Sequence, residues 1–507
     1  MSRRNVARLI MICWIAALGW LAYRQLFIGE SARMTARASR LPPDARYYRV
    51  DVGSLQVGTV NMTWDTLPTG FRIQEMLSLD LPAGDGMTRH LALSEATTSR
   101  ALTLQRLTRT YSALGGGEEQ RADVAHDSLV RIGITLRDQG GGANAPLRPD
   151  GRPTWLTLVP MRFAFSDGLS VGGTMEVGVL DMERNTVREL GARITGDSIF
   201  IVADSVEADS VTGEWRTLRL DTIPTWRVEL DGERWWVDQL GRLVRRETPF
   251  GVTIMMAPFD YASLAYRDTL RITGPEPRRP LAGIRTLAAS GVTLDTDAAE
   301  LRFHVSRVDG PAPPGAVAAL GKGNQSAQGD TLTITREWRE GSTPPPPALQ
   351  EREALRRIQP PRMQPILDSA LTGARTLRDS VTGLSAWVTT RIARDSGAVR
   401  YRDPLILLSE RSANPDGMAR MVVALAEGAG LTARVVTGVA VTAGGLLGHA
   451  WVEFWTGADW VPVDPWSGQV PASARLVRIA EGGLGRPFES FLRTGALRLE
   501  PITPGAR

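Results

Sequence analysis

The chain has 507 residues, too many for one compact core, so two to four domains are expected. An apolar fraction of 43% and a charged fraction of 22% are ordinary for folded protein, and 59 basic against 55 acidic residues, spread without a clustered stripe, exclude a nucleic-acid footprint. A single cysteine, Cys13, excludes an intrachain disulfide and a thiolate zinc cluster, and His90, His126, His304 and His449 lack metal-ligand spacing, so neither metal nor other cofactor is expected.

The N-terminus carries Arg3, Arg4 and Arg8 ahead of an uncharged run, "LIMICWIAALGWLAY", from Leu9 to Tyr23. As a helix this run spans roughly 22 Å, and snorkelling by Arg8 and Arg24 extends its reach toward the bilayer thickness. No small-residue cleavage site follows at the usual distance, which favours an uncleaved signal anchor over residues 1–30 rather than a cleaved signal peptide. The expectation is a single-pass membrane helix with an extracytoplasmic, periplasmic-side body.

From about Tyr47 to Tyr266 the apolar period is two. Tyr48, Val50 and Val52 alternate, as do Val60, Met62 and Trp64, then Phe71, Ile73, Leu77 and Leu79 around Glu75. The stretch "WRVELDGERWWVDQLGRLVRRETPFG" reads as three strands joined by turns at Asp231-Gly232 and near Gly241. Helical periodicity is nearly absent, so residues 45–273 are expected to form a large antiparallel β domain with one buried face. Its longest break, Arg137 to Pro153, is made of turn residues and is expected to be an exposed loop. After the junction "GPEPRRP", strands at "ELRFHVSRV" and "DTLTITREW" suggest a small β-rich domain over 281–342. Four consecutive prolines, Pro344 to Pro347, give residues 343–350 the character of a stiff spacer.

Beyond the spacer, residues 351–507 mix helix with strand. Leu377, Val381, Leu384, Trp387 and Val388 recur at helical spacing. Met418, Met421, Val422 and Leu425 form a second apolar stripe, with Asn414 as its N-cap, Pro415 at the first helical position, and Gly428 and Gly430 at its end. A strand, "LTARVVTGVAV", follows. Then "GHAWVEFWTGADWVPVDPW" reads as two alternating strands about the turn "TGAD", which pairs Trp455 with Trp460. Extending that register makes Asp464 a diagonal neighbour of His449, within about 7–8 Å. One reading gives Asp464 the task of holding the imidazole in one tautomer, as the third member of a nucleophile–base–orienter set does. The other leaves a histidine at a strand end and an aspartate opening a turn.

The succession "GLTARVVTG", "HAWVEFW" and "WVPVDP" resembles the core of the transglutaminase-like superfamily, whose fold is papain-like, over roughly residues 365–475. The resemblance implies that His449 stands on the family's general base and Asp464 on its orienting carboxylate. It places Pro415 where the family has its nucleophilic cysteine at a helix N-terminus. Proline offers no nucleophilic atom, and Cys13 lies some 400 residues away. The upstream part is similar, more loosely, to bacterial exported proteins that join a β domain to such a core. The fold class expected is therefore multidomain: N-terminal membrane helix, large antiparallel β domain, small β-rich domain and C-terminal α+β transglutaminase-like domain.

Three functions follow from this reading. The first is a catalytically inactive, membrane-anchored module that binds peptide, cell-wall peptide or an envelope protein, with Trp451 and Trp466 as its aromatic binding surface beside His449. The second is a noncysteine peptidase or amidase using His449 and Asp464, or a serine, Ser409 or Ser412, upstream of the helix. The third is a structural envelope scaffold.

Overall fold

The computed structural model describes residues 41–264, 294–345, 363–395, 404–482 and 487–502 with short breaks, and isolated positions elsewhere. The apolar run Leu9–Tyr23 lies almost wholly outside the described residues, and Pro346 and Pro347 of the spacer lie outside them. Among the described residues no helix is long and apolar enough to cross a membrane.

The alternation of apolar residues produces one fourteen-stranded antiparallel sheet. Its first run is β1 (Asp44–Val52), β2 (Leu55–Leu67), β3 (Gly70–Ala83), β4 (Gly86–Ser99), β5 (Leu104–Ala113), β6 (Gly116–Val124), β7 (Val130–Leu136) and β8 (Gly142–Leu147). Its second is β9 (Thr174–Asp181), β10 (Thr186–Ala208), β11 (Trp215–Leu230), β12 (Glu233–Val237), β13 (Leu243–Glu247) and β14 (Val252–Ala257). Each run is a meander, and β14 pairs with β1, so both chain ends of the sheet meet at its centre while β8 and β9 form its edges. Tyr48, Val50, Val60, Met62, Trp64, Ile73 and Leu79 are buried on one face, as their period of two requires. Glu75 breaks the apolar file and accepts a hydrogen bond from Thr157 Oγ1 at 3.1 Å.

Two features depart from the sequence expectation. The Gly- and Pro-rich stretch read as an exposed loop contributes β8, whose Pro146 lies opposite Arg131 of β7. Proline cannot donate to a ladder, but at an edge the missing donor faces no strand. The second is a short helix, α1 (Val159–Ser166), between the two runs. It is buried nearly all round, so it shows no amphipathic period to read. Its backbone fixes Gly241 in the turn between β12 and β13, where φ is +73° and an added Cβ would lie 2.4 Å from the Pro160 carbonyl oxygen.

A five-stranded sheet follows, built on β15 (Glu300–Arg307), β16 (Gly310–Pro311), helix α2 (Pro314–Leu320), β17 (Gln325–Gln328) and β18 (Thr331–Thr335). The C-terminal region contains α3 (Gln364–Ala370), α4 (Leu377–Arg391), β19 (Ala393–Arg394), α5 (Pro404–Glu410), β20 (Ser412–Ala413) and α6 (Pro415–Gly428). It continues through β21 (Ala433–Thr442), β22 (Gly445–Trp455), β23 (Trp460–Val463), β24 (Leu476–Glu481), α7 (Pro487–Thr494) and β25 (Leu497–Pro501). Strands β23, β22, β21 and β24 form a sheet in that order, and α6 packs on it.

The small β unit is not confined to residues 281–342. Its fifth strand is β25, paired with β15 from Phe303↔Pro501 to Arg307↔Leu497. Phe303, Val305, Leu332 and Ile334 share one apolar cluster with Val439, Val441 and Val477 of the C-terminal sheet. The beginning of the spacer is also docked: Thr343 N donates to Gly457 O at 2.9 Å, and Trp455 Nε1 donates to Thr343 O at 2.9 Å. Short alternating strands carry no information about which distant strand will pair with them, so the boundary was not legible.

Gly241→Ala is expected to lower stability by about 2 kcal/mol or more, because backbone strain and overlap with α1 act together. Chemical denaturation of the variant tests this, and an unchanged midpoint would refute the docking of α1 on that turn.

Candidate functional site

Helix α6 begins as its sequence dictates. Asn414 is extended (φ −81°, ψ 175°), its Oδ1 accepts from Gly417 N at 2.8 Å, and Pro415 takes the first helical position. Met418, Met421, Val422 and Leu425 are fully buried against α4 and the sheet. Asp416, in the first turn, is paired with Arg420 at 2.9 Å. No thiol is near: the free cysteine of the described residues is Cys13.

Strands β21 and β22 pair with Gly438 opposite His449, and β22 pairs with β23 from Trp455↔Trp460 to Val452↔Val463. The ladder then ends. Asp464 turns the chain, its carbonyl oxygen accepting from Gly468 N at 2.8 Å and Gln469 N at 3.1 Å. The turn carries its carboxylate to the imidazole, where His449 Nε2 and Asp464 Oδ1 lie 3.1 Å apart with both residues 4% exposed. Asp464 also accepts from Trp466 N at 3.0 Å and from Ser467 Oγ at 2.6 Å.

A carboxylate can only accept from the ring, so Nε2 carries a proton and Nδ1 is the basic nitrogen of the neutral imidazole. Nδ1 has no hydrogen-bond partner among the described residues. Burial alone would raise the Asp464 carboxyl, but its hydrogen bonds to His449, Ser467 and Trp466 outweigh burial and hold it below the ordinary carboxylate range.

Trp451 and Trp466 differ in a way the sequence did not reveal. Trp451 is 1% exposed, stacks on His449 at 6.2 Å between ring centroids, and packs with Val436, Ala472 and Leu476. Its face is not available to a ligand, which corrects its expected place on the binding surface. Gly438 makes this stack possible, because a Cβ there would stand 2.9 Å from the Trp451 ring and closer still to the Val477 carbonyl. Trp466 is only partly buried, with the Arg394 guanidinium carbon 5.9 Å from its ring centroid.

The start of α6 and the dyad are tied together through β19. Arg394 lies opposite Ala413 in the parallel β19–β20 pair, one residue before the Asn414 cap, and its side chain reaches Trp466 beside Asp464. From α4, Thr389 Oγ1 donates to Pro465 O at 2.8 Å, fixing the same turn. The end of α4, the start of α6 and the Asp464 turn therefore meet. Ser412 belongs to β20 with its Oγ 3.4 Å from Asp395 Oδ2, and Ser409 lies in the last turn of α5. Neither hydroxyl is bonded to His449.

Ser467 and Arg394 were missed from sequence. Three residues after an aspartate at a turn, a serine is a readable partner, so Ser467 had a signal. Arg394 had none, being one arginine of many and 55 positions from the histidine.

Residues 366–465 match the transglutaminase-like superfamily. Among solved structures, a "putative cysteine protease" from Cytophaga hutchinsonii is 16% identical with a TM-score of 0.25, the match covering 34% of this chain and 62% of that one. A β-barrel-like protein of a domain of unknown function from Brucella abortus is 7% identical with a TM-score of 0.31, covering 43% of this chain and 96% of that one. Comparison with curated proteins gives no match.

The folded pKa of Asp464 lies below its unfolded value, so its contribution to stability is complete above about pH 4 and is lost as pH falls through the folded value. Asp464→Asn is expected to cost about 2–3 kcal/mol at pH 7 and to flatten the acid limb of the stability curve. Urea unfolding from pH 2 to 7 checks both, and an acid limb identical to wild type would show that this carboxylate is not held by the ring and the turn.

Proposed function

Because residues 366–465 belong to the transglutaminase-like superfamily, we propose that this domain binds peptide or cell-envelope ligands without thiol chemistry, using the cleft beside His449 and Trp466. The observation that carries this reading is Pro415 at the first position of α6, the position that the resemblance assigns to the family's cysteine, together with a hydrogen-bonded His449–Asp464 pair. Family cysteines exploit the helix N-terminus because its amide dipoles favour the thiolate. Here the same helix start is retained with a residue that has neither sulfur nor N–H. On this reading the domain offers a binding surface and no thiol. The uncharged run Leu9–Tyr23, preceded by three arginines, supports a single-pass anchor with the body on the extracytoplasmic side.

Two experiments test the reading. Full-length protein in detergent is expected to retain envelope peptides, and Trp466→Ala is expected to weaken retention several-fold with little change in stability. Equal retention by the variant would remove the cleft from the account. In the Cys13→Ser chain, Pro415→Cys is expected to be alkylated by iodoacetamide at pH 6–7 about tenfold faster than when combined with His449→Ala, because an adjacent imidazole stabilises the thiolate. Alkylation indifferent to His449 would show that position 415 does not face the ring.

A noncysteine amidase is the second reading, favoured by the unpartnered Nδ1 of His449, a base available to activate water. Proton transfer alone supplies about 10²–10⁴-fold. Turnover of a peptide amide that disappears in His449→Ala would establish this reading in place of the first.

A further inference from the structure

Charged groups around the Asp464 turn and the start of α6 are nearly all committed among the described residues. Asp464 is held by His449, Ser467 and the Trp466 N–H. Asp416 is paired with Arg420, and the Asp395 carboxylate is approached by the Ser412 hydroxyl at 3.4 Å. Arg394 is the exception. It makes no ion pair among the described residues, is exposed, and lies over the indole of Trp466. Its backbone is fixed on both sides, by pairing with Ala413 before the start of α6 and by the Asp395 N to Ala413 O bond of 2.9 Å. His449, on β22 and joined to Asp464 two residues before Trp466, is 4% exposed, and its Nδ1 has no partner among the described residues.

From this we infer that the cleft selects ligands bearing a carboxylate, which Arg394 receives while Trp466 packs against the adjoining apolar stem. The inference rests on the peptide-binding reading and names the ligand's chemistry. A guanidinium presents parallel donors that match a carboxylate bidentately, and the neighbouring indole offers apolar surface to the ligand's stem. An amide in the same place would accept one hydrogen bond from the fork and leave the charge uncompensated.

The test is calorimetric titration of the full chain in detergent with three forms of one envelope stem peptide. One carries all its carboxylates, one has only its C-terminus amidated, and one has only its acidic side chain amidated. The fully acidic form is expected to bind at least tenfold tighter than one amidated form, and which amide loses affinity identifies the source of the carboxylate. Arg394→Gln is expected to erase the difference while leaving the weaker affinity in place, and Arg394→Lys to restore part of it. If all three forms bind equally to wild type, or if Arg394→Gln keeps the discrimination, the carboxylate assignment is wrong although peptide binding stands. If no form binds, the peptide-binding reading fails and this inference fails with it.

Discussion

One buried carboxylate organises the C-terminal domain. Asp464 accepts from an imidazole, a hydroxyl and a backbone N–H, while its own carbonyl closes the turn that follows β23. Removing an ionised group from water is costly unless its lone pairs are filled, and here the protein supplies three donors. The same bonds do two things: they shape the turn that follows β23 and they hold the imidazole through Nε2. A dyad built this way persists without a substrate, because the turn depends on it.

The start of α6 rests on the Asn414 cap and on a buried apolar stripe, neither of which needs a side chain at position 415. Proline at the first helical position satisfies the helix as well as most residues, since the N–H it lacks has no intrahelical acceptor there. Folding energy and chemistry therefore reside in different atoms.

The three β units are joined more closely than their order along the chain implies. After β24 the chain returns through α7, whose Phe491 and Leu492 pack on the core of the large sheet, and then adds β25 to the small one. Gln325 of the small sheet donates through Nε2 to the carbonyls of Leu320 and Arg478, bonding it to β24. Nearby, Glu453 is fully buried and accepts both Nε and Nη2 of Arg434, which in turn lies 3.8 Å over the Trp460 ring. Breaking such a pair leaves a buried charge, so this region resists rearrangement.

Local features were legible where the chain alone dictates them. Alternation at Tyr48–Val52 and Val60–Trp64, the Asp231-Gly232 turn, the Asn414–Pro415 helix start and the Trp455–Trp460 register could be read because each depends on neighbours a few residues apart. The meeting of His449 with Asp464 was half legible: the register brought them near, but only the turn at Asp464 brings the carboxylate to Nε2. The burial of Trp451, the approach of Arg394 to Trp466, the helix α1 and the pairing of β25 with β15 could not be read. Each depends on a partner tens or hundreds of residues away, and side-chain period reports which face is apolar without saying what covers it. The sequence by itself determined that no thiol stands at the start of α6, since composition is independent of folding. Tertiary structure alone decided which charges around that helix are neutralised and which stay without an ion pair among the described residues, because ion pairing depends on distances that only packing sets.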